Sequence, residues 1–541
     1  MRSLVLILYL LSSISFAQTK DYKTYDKAVK YNNEGNIEKA IKYANKALKK
    51  NAEWSKPNLL LASIYANNNQ IELAADYLLK VYDETNPEDV KGIEQVAKLY
   101  YSNGFYNEAL FYYEKIIAQD TNKYRFTTKI DRYIENCKFA IKAIKNPIEF
   151  NAKNIGDPVN SPMTEYINTI TVDGKKLLFT RRIEVNKKQN QEDLFVFDLT
   201  NNSVSPLPFN TSKNEGAITV SSDGTMYVYT ACDRVNSIGG CDLYIRQYSE
   251  KNGWSKEYNL GENVNSNKWE SQACFSPDER YLYFISNRPG GFGKEDIWRS
   301  EITKEGFMPA ENLGSSINTN QIEMSPFLHP DNLTLYFASD GHIGMGDDDL
   351  FISRRANSQQ VWGIPMNMGY PINTHNSENS LIVASNGKTA YYTSDVSGFG
   401  KEDVFQFDLP ENLQAEPLEE LELEIITQQA GEEVILKNVS FASNSYELEE
   451  TSFIELDKLT AYLKKNPNLQ IEIQGHTDDV GDEIANQILS EKRAKVVFDY
   501  LNSKVENSLT YRGFGKTKPL VPNESANGRM INRRTSFVII Q

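Results

Sequence analysis

The stretch GHTDDVGDEIANQILSEKRAKVVFDYL, residues 475–501, decides the fold of the last part of the chain. Its first residues predict a polar turn, and the remainder predicts a helix over Glu483 to Asn502. Strand-like runs lie around it at 436–441, 469–475, 509–515 and 533–541. A further helix face precedes it and carries Phe453, Leu456, Leu459 and Leu463. Strands and helices alternating in this way predict a two-layer α/β domain over residues 430–541.

The long helix and the turn before it carry two opposite charges. A rotation of 100° per residue predicts an apolar stripe formed by Ala485, Leu489, Val496 and Tyr500. Arg493 lies at the edge of that stripe, where a desolvated guanidinium is costly unless it has a partner. Asp478 lies in the turn, so the two side chains suit a zwitterionic ligand, Asp478 accepting from an ammonium and Arg493 binding a carboxylate. A structural salt bridge between Asp478 and Arg493 is the alternative.

The same stretch, followed by GFGKTKPLVPNESANGRMINRR at 513–534, resembles the C-terminal domain of the OmpA family. Members of that family bind the peptide stem of peptidoglycan at the free end of diaminopimelate. The resemblance implies that Asp478 takes the ammonium of this group and Arg493 its carboxylate. The other residues that it implies for the site are Thr477, Asn486, the backbone around Leu489, and Arg533 and Arg534 as supporting or ligand-contacting residues. Ala485 and Thr535 depart from the family's preferred aromatic and aliphatic residues.

Residues 150–409 contain five copies of one strand-rich unit. The polar turns of the copies lie 50, 55, 53 and 55 residues apart, at Asp173, Asp223, Asp278, Asp331 and Asn386. Each turn precedes alternating aromatic and aliphatic residues, which predict half-buried strands. Four short strands in about fifty residues are typical of a propeller blade, and the section resembles TolB-type, WD-like propellers. We expect five blades, with six as the alternative. The strands are shorter than the 9–11 residues of a membrane barrel strand.

The recurring acids of this section predict structure rather than catalysis. They occupy the same phase in every copy, at Asp193, Asp242, Asp296, Asp349 and Asp403. A catalytic carboxylate is expected to be unique to one copy, so these residues are expected to hold tight turns. The loop DGHIGMGDDD from Asp340 lacks the spacing of an EF-hand calcium site, and a solvated turn is the favoured interpretation. Each of the four histidines is expected to be a satisfied loop residue.

Residues 21–147 predict paired helices. Ala40, Ala74 and Ala109 recur at intervals of 34 and 35 residues, and a small residue at this period lets neighbouring helices approach closely. The pattern resembles tetratricopeptide repeats, with three repeats and a terminal helix from Arg125 to Ile144. The resemblance implies a groove for another protein, and a structural spacer is the alternative.

The first residues predict export. Arg2, the apolar run from Leu4 to Ile14 and the sequence Ser15-Phe16-Ala17 form a signal peptide over 1–17. No later segment is long and apolar enough for a transmembrane helix. An acidic, proline-containing linker is expected over 410–429.

Charge and cysteine content exclude several classes of protein. The net charge of −15 argues against nucleic acid as a partner. The four cysteines lack metal-site spacing, and Cys232 and Cys241 either close a hairpin as a disulfide or remain buried thiols. No cofactor motif, metal site or catalytic signature is found in the sequence.

The sequence therefore predicts a multidomain protein: tetratricopeptide-like α-helical repeats, a β-propeller and an α/β two-layer OmpA-like domain. We expect a non-enzymatic adaptor of the periplasm, bound to peptidoglycan at the cell wall and outer membrane and to other envelope proteins. Exported proteins with a similar module order occur in Bacteroidetes-type envelopes. A propeller that acts enzymatically on glycan, and a peptide-binding sensor or chaperone of a secretion machine, are the alternatives.

Overall fold

The computed structural model describes residues 21–86, 89–119, 130–186, 189–356, 360–395, 398–416, 431–436, 439–441, 445–448, 450–524 and 526–540. The expected signal peptide and the expected linker from residue 417 onward lie outside the described residues. The chain divides into a helical unit, up to Pro147 with Ile343–Asp347 and Gly369–Asn376, and a second unit formed by the remaining residues. Across these described ranges, no helix has the length and apolar character needed to cross a membrane.

The helical unit contains seven helices in the part that the structure describes. They are α1 Tyr22–Asn33, α2 Ile37–Leu48, α3 Ser55–Asn67, α4 Ile71–Leu79, α5 Val90–Tyr101, α6 Tyr106–Gln119 and α7 Ile130–Lys145. Each helix packs against the next. The recurring alanines Ala40, Ala74 and Ala109 are fully buried. The last helix begins at Ile130, and the earlier residues of the expected terminal helix, up to residue 129, are not described.

Local signals explain where these helices begin. The side chains of Asp21 and Asn36 accept hydrogen bonds from the backbone N–H of Thr24 and Lys39, and so cap α1 and α2. Gly35 has a φ of 73° in the turn between these helices, a conformation that costs glycine little.

Met345 belongs to the core of the helical unit. Its side chain is fully buried in the cluster that contains Tyr113 and Cys137. Tyr106 donates its hydroxyl hydrogen to the Met345 carbonyl at 3.0 Å, and Asn136 accepts from the Gly344 N–H at 3.2 Å. The interpretation of this loop as a solvated turn is therefore wrong for Gly344 and Met345, which are buried, whereas Ile343 and Asp347 are exposed.

The second unit begins with antiparallel sheets. Within the described part of residues 150–409 there are five, each with four principal strands. The first four sheets comprise β2 Glu165–Ile170, β3 Lys176–Asn186, β4 Gln189–Asp198 and β5 Ser203–Pro206; β6 Glu215–Val220, β7 Met226–Cys232, β8 Cys241–Ser249 and β10 Tyr258–Asn259, with β9 Gly253–Trp254; β11 Glu270–Phe275, β12 Tyr281–Ser286, β13 Asp296–Thr303 and β15 Glu311–Asn312, with β14 Gly306–Phe307; and β16 Glu323–Leu328, β17 Thr334–Ser339, β18 Asp349–Arg354 and β19 Met366–Asn367.

The fifth sheet joins the two ends of this section. It contains β20 Glu378–Val383, β21 Thr389–Ser394 and β22 Asp403–Asp408, and its fourth strand is β1, Lys153–Asn154. The first strands of the sheets contact one another in the order β2, β6, β11, β16 and β20, and β20 contacts β2 again. The five sheets therefore form a closed ring.

A repeated polar frame holds the ring together. The first strand of every sheet begins with a fully buried glutamate: Glu165, Glu215, Glu270, Glu323 and Glu378. Arginines pair with three of these carboxylates, in the pairs Arg181–Glu165, Arg234–Glu215 and Arg288–Glu270. Buried carboxylates need such partners because they have lost their hydration.

The recurring aspartates hold turns, as expected from their phase. Asp242 accepts from the backbone N–H groups of Ile238 and Gly239 and from the Asn259 amide at 2.7 Å. Asp296 and Asp403 accept in the same way from the Gly293 and Gly400 N–H groups. The turn-holding role is confirmed for these three residues.

Cys232 and Cys241 are the paired ends of β7 and β8, and their sulfur atoms are bonded. Of the two alternatives that the sequence leaves open, the structure contains the disulfide. Cys137 and Cys274 are buried thiols.

The last section of the second unit is an α/β layer pair. Its elements are β23 Glu433–Ile435, α8 Glu450–Lys465, β24 Ile471–Gly475, α9 Glu483–Asn502, β25 Leu509–Gly513, α10 Ala526–Asn532 and β26 Thr535–Ile539. The sheet has the order β23-β26-β24-β25, and only its β24–β25 pair is parallel among the described strands. Leu456, Leu459, Val497 and Phe537 lie in the core between helices and sheet. A 3-10 helix, Glu411–Leu413, precedes this section.

Two expectations for this section are wrong. The first described strand is Glu433–Ile435, which precedes the expected run at 436–441, and residues 437 and 438 of that run are not described. The buried face of α9 consists of Asn486, Ser490, Ala494, Val497 and Leu501, whereas Ala485 is exposed. Ser490 and Ala494 lie close to the Gly475 backbone. The larger side chains of the predicted stripe, Leu489, Val496 and Tyr500, are only partly buried.

Candidate functional site

Asp478 lies where the chain leaves β24, and only 8% of the residue is exposed. Its Oδ1 accepts from the Val480 N–H at 3.1 Å, and its Oδ2 accepts from Arg533 Nη1 at 2.6 Å. Thr477, also buried, donates its hydroxyl hydrogen to the Asp478 carbonyl at 3.0 Å. The carboxylate is therefore held in place by both a backbone donor and a guanidinium.

The turn between Asp478 and α9 is fixed by its own polar residues. Asp482 caps the helix by accepting from the N–H groups of Ile484 and Ala485 at 2.9 and 3.1 Å. Asn486, which is 7% exposed, donates its Nδ2 hydrogen to the Val480 carbonyl at 3.0 Å. Asn486 thus shapes the turn that carries Asp478.

Arg493 lies two turns after Asn486 on α9 and is half-buried. Its Nε donates to the Ser445 carbonyl at 3.0 Å, and its guanidinium lies 4.9 Å from the centre of the Phe441 ring. Burial lowers the pKa of Arg493 below its ordinary value, the charge of Arg533 lowers it further, and Asp478 acts in the opposite direction. Among the residues with described positions, no carboxylate lies within 4.0 Å of Arg493, so the alternative of a direct Asp478–Arg493 salt bridge is wrong.

Arg533 and Arg534 have different surroundings. The Arg533 side chain is 44% exposed and pairs with Asp478. The Arg534 side chain is 4% exposed and makes two hydrogen bonds to Glu433, at 2.7 and 3.0 Å. The structure therefore brings Asp478, Arg493 and Arg533 into one electrostatic group, and it places Arg534 in a separate buried pair.

Leu489 is half-buried on the same helix. Three exposed apolar side chains on this helix and the turn before it were not predicted from the sequence. Val480, Ile484 and Ile488 are 64%, 71% and 49% exposed. The spacing of Ile484 and Ile488 by one helical turn was the available signal, because residues four apart share a helix face. The charged group thus has an exposed apolar border.

His476 does not have the satisfied environment expected of it. The residue is 1% exposed, its ring stacks on Phe514 at 5.3 Å, and neither ring nitrogen hydrogen-bonds with any described residue. Its Nε2 lies 3.4 Å from Glu433 Oε1. Burial lowers the pKa of His476 to about 4, Arg534 acts in the same direction, and Glu433 opposes them. The ring is neutral at pH 7 and belongs to the residue two positions before Asp478 in the sequence.

Comparisons with known proteins concern mainly this part of the chain. The OmpA family model matches residues 440–533. Outer membrane porin F of Pseudomonas aeruginosa is 36% identical over 100 residues, 18% of this chain and 29% of that protein. Peptidoglycan-binding protein ArfA of Mycobacterium tuberculosis is 31% identical over 103 residues, 19% of this chain and 32% of that protein. The matches span about a third of the length of these two curated relatives.

One solved structure has a likeness over a longer part of the chain. TolB from Acinetobacter baumannii is 15% identical, with a TM-score of 0.30, and the match covers 53% of this chain and 71% of that one. The matched family model and the α/β arrangement described above agree on the C-terminal section. The chain carries an OmpA family domain at its C-terminal end, over residues 440–533.

Proposed function

We propose that the C-terminal domain, residues 430–541, binds the peptide stem of peptidoglycan in the pocket around Asp478 and Arg493. The observation that carries the proposal is the state of Arg493, a half-buried guanidinium without a carboxylate partner among the described side chains. Such a cation gains most from an incoming carboxylate, because charge-assisted hydrogen bonds to a guanidinium are strong in a partly desolvated site.

The rest of the pocket suits the other end of a zwitterion. Asp478 is buried and already positioned by the Val480 N–H, so an ammonium can share its carboxylate with Arg533 or displace that exposed side chain. One carboxylate and two guanidinium groups give the group a net charge of +1, which favours a ligand carrying more carboxylate than ammonium. In a diaminopimelate end, Asp478 takes the ammonium and Arg493 the carboxylate, while Thr477, Asn486, the backbone around Leu489 and Arg533 complete the pocket.

The other sections act as binding modules of an adaptor. We assign 21–147 to tetratricopeptide-like repeats, 150–409 to a five-bladed propeller, and 410–429 to a linker. The closed ring of five sheets supports the propeller assignment, and the buried alanines support the repeats. With a signal peptide at 1–17, the protein operates in the periplasm between the cell wall and the outer membrane. The pocket works by recognition rather than by making or breaking bonds, and envelope proteins are the partners of the repeats and the propeller.

Co-sedimentation of the mature full-length chain with diaminopimelate-type peptidoglycan sacculi tests the proposal. The variants are Asp478→Asn and Arg493→Gln, which keep the size of each side chain. Lys495→Gln is the matched control, since it removes an exposed cation from the same helix. We expect the parent and Lys495→Gln to sediment with the sacculi, and the two site variants to remain in solution.

Sacculi with lysine in place of diaminopimelate are the control for the ligand. They lack the second carboxylate that Arg493 is proposed to bind, so they should retain less protein than diaminopimelate-type sacculi. Equal retention of both kinds of sacculi, or binding unchanged in Arg493→Gln, would refute the assigned role of Arg493.

A further inference from the structure

The ring of five sheets encloses a cavity of about 330 Å³. This volume falls in the range of small-molecule sites, about 300–1,000 Å³. All residues around it belong to the second unit, and they include residues from the first strand of every sheet. It shares no lining residue with the pocket around Asp478.

A comparison of the five sheets separates residues that hold the ring together, which are the same in every sheet, from residues that line the cavity, which differ. The glutamate that begins each first strand is identical in all five sheets and fully buried. The next residue lines the cavity in all five, and there the side chains all differ: Tyr166, Gly216, Ser271, Met324 and Asn379. A position needed only for the ring would repeat as the glutamate does. The cavity surface is instead specific to each sheet and strongly asymmetric.

A backbone irregularity lies beside these residues in every described sheet. The pairing of the first two strands shifts register in each of the five described sheets, as expected for a β-bulge. Ala217, Gln272 and Ser325 lie at these irregularities with φ values of 50°, 49° and 49°. Non-glycine residues in the left-handed region are strained, and such residues are concentrated at ligand sites.

Four amide side chains line the cavity with one end fixed. Asn168 Oδ1 accepts from the Thr180 hydroxyl at 2.7 Å, and Asn214 Oδ1 accepts from the Glu192 N–H at 3.1 Å.

Gln272 Oε1 accepts from the Ser325 N–H at 2.7 Å, and Asn379 Nδ2 donates to Glu402 Oε1 at 3.3 Å. The opposite end of each of these four amides has no hydrogen bond to any other described residue. The cavity therefore presents three N–H₂ donors and one carbonyl acceptor whose orientations are set before a ligand arrives.

The remaining groups define the charge and shape of the ligand. Glu192 is neutralised by Arg182, 3.0 Å away, and also accepts from the Tyr166 hydroxyl at 3.0 Å. Glu402 adds a negative charge, so an anionic ligand is disfavoured. The half-buried Trp269 supplies a flat apolar surface. Fixed neutral donors and acceptors beside an aromatic ring match a molecule that has hydroxyl groups on its edge and an apolar face.

We propose that this cavity binds a neutral saccharide, with the fixed amides of Asn168, Asn214, Gln272 and Asn379 bonded to its oxygen-bearing edge and Trp269 against its face. The ligand gains affinity because the amides lose little conformational entropy on binding.

Isothermal titration of the full-length chain with chitotriose, cellotriose and maltotriose tests this inference. We expect one of these neutral trisaccharides to bind in a 1:1 complex with a Kd below about 1 mM. The key variants are Gln272→Glu and Asn168→Asp. Each keeps the oxygen that accepts from Ser325 or Thr180 and loses the free N–H₂ group, so each should weaken binding by about tenfold or more while the thermal midpoint stays unchanged.

Asn252→Asp is the matched control, because Asn252 is an exposed amide outside the cavity and its change should leave the Kd unaltered. Asp478→Asn should also leave it unaltered, since the trisaccharides contain no stem peptide. If the key variants fold poorly, hydrogen exchange of the parent provides a second readout, with trisaccharide expected to protect Glu270–Phe275. The inference is overturned if none of the three sugars binds, if the tripeptide trialanine binds equally well, or if the two key variants retain the parental Kd.

Discussion

Replacing His476 by glutamine should remove most of the acid sensitivity of the OmpA family domain. The ring is 1% exposed and without a hydrogen bond among the described residues, and Glu433, Arg534 and Lys518 are the charged groups that act on it. Its pKa is about 4 in the folded domain, against about 6.5 in an unfolded chain. Between these values the unfolded chain binds a proton that the folded domain excludes, so stability falls as the pH falls below 6.5.

The size of the effect follows from proton linkage. At pH 7 the folded histidine is neutral and only about a quarter of the unfolded histidines are protonated, so the cost is small. At pH 5 the unfolded histidine is protonated and the folded one is not, so the domain loses about 2 kcal/mol relative to pH 7. That loss corresponds to a roughly thirtyfold larger open fraction.

Hydrogen exchange of the full-length chain measures this opening within one domain. Protection of the strands Ile471–Gly475 and Thr535–Ile539, corrected for intrinsic exchange rates, should fall about thirtyfold between pH 7 and pH 5 in the parent. His476→Gln should have a much smaller pH dependence.

The remaining slope in that variant comes from Glu433. Burial acts to raise the pKa of Glu433, but hydrogen bonds from Arg534 and Ser536 outweigh it and hold the pKa below its ordinary value. Stability from Glu433 is therefore present above its unfolded pKa and lost only as the pH falls through the acidic range. An identical pH slope in parent and variant would refute the account of His476 as a buried, neutral ring.

Three further changes test the other sections by thermal and urea unfolding. Arg288→Met leaves the buried Glu270 without its cationic partner and should lower the free energy of unfolding by about 3–5 kcal/mol. Arg280→Met removes a partner from an exposed ion pair and should cost less than about 1 kcal/mol. Equal losses in the two variants would contradict the role given to burial. Ala74→Leu should destabilise the helical unit by about 1–3 kcal/mol, seen in its helical circular dichroism, because the site is fully buried; an unchanged midpoint would mean that the helices can separate. Cys232→Ser should lower the free energy of unfolding by about 2–3 kcal/mol under oxidising conditions, because the disulfide no longer closes a loop of sequence separation 9. Under reducing conditions the variant and the parent should be equally stable. A loss of stability under both conditions would mean that the effect comes from side-chain packing and not from the disulfide.

Sequence periodicity predicted the strands and helices in which buried residues recur at a regular spacing. The alternating strands and the recurring aspartates of the five copies depend on local hydrogen bonds. The position of the aspartate within each copy was therefore enough to predict the turns held by Asp242, Asp296 and Asp403. The extent of helix α9 was also predictable, because caps and apolar spacing are local. Its orientation was not: Ser490 faces the sheet because the Gly475 backbone approaches it closely, a tertiary contact that hydrophobic spacing does not encode.

The sequence predicted which residues form the candidate site but not which of them pair with each other. Asp478, Arg493 and Arg533 could be singled out by resemblance, whereas the partner of Asp478 depends on a side chain 55 residues later in the chain. The neutral state of His476 likewise results from its burial beside Phe514 and from the charge of Arg534, two residues that lie far from it in the sequence. The cavity amides were overlooked because each differs from its counterparts in the other copies, and repeat analysis emphasises what is shared.

The pairing of β1 with β22 has a consequence for the order of biosynthesis. Lys153–Asn154 is among the first parts of the ring to be translated, and its partner residues Phe405 and Gln406 are among the last. At about 5–20 residues per second, roughly 12–50 seconds separate the two. Near the end of that interval a nascent chain holds four sheets and two unpaired edges, each able to pair with a strand from another molecule. A ring closed by its first strand is therefore protected from pairing with strands of other molecules only once β22, which ends at Asp408, has been made.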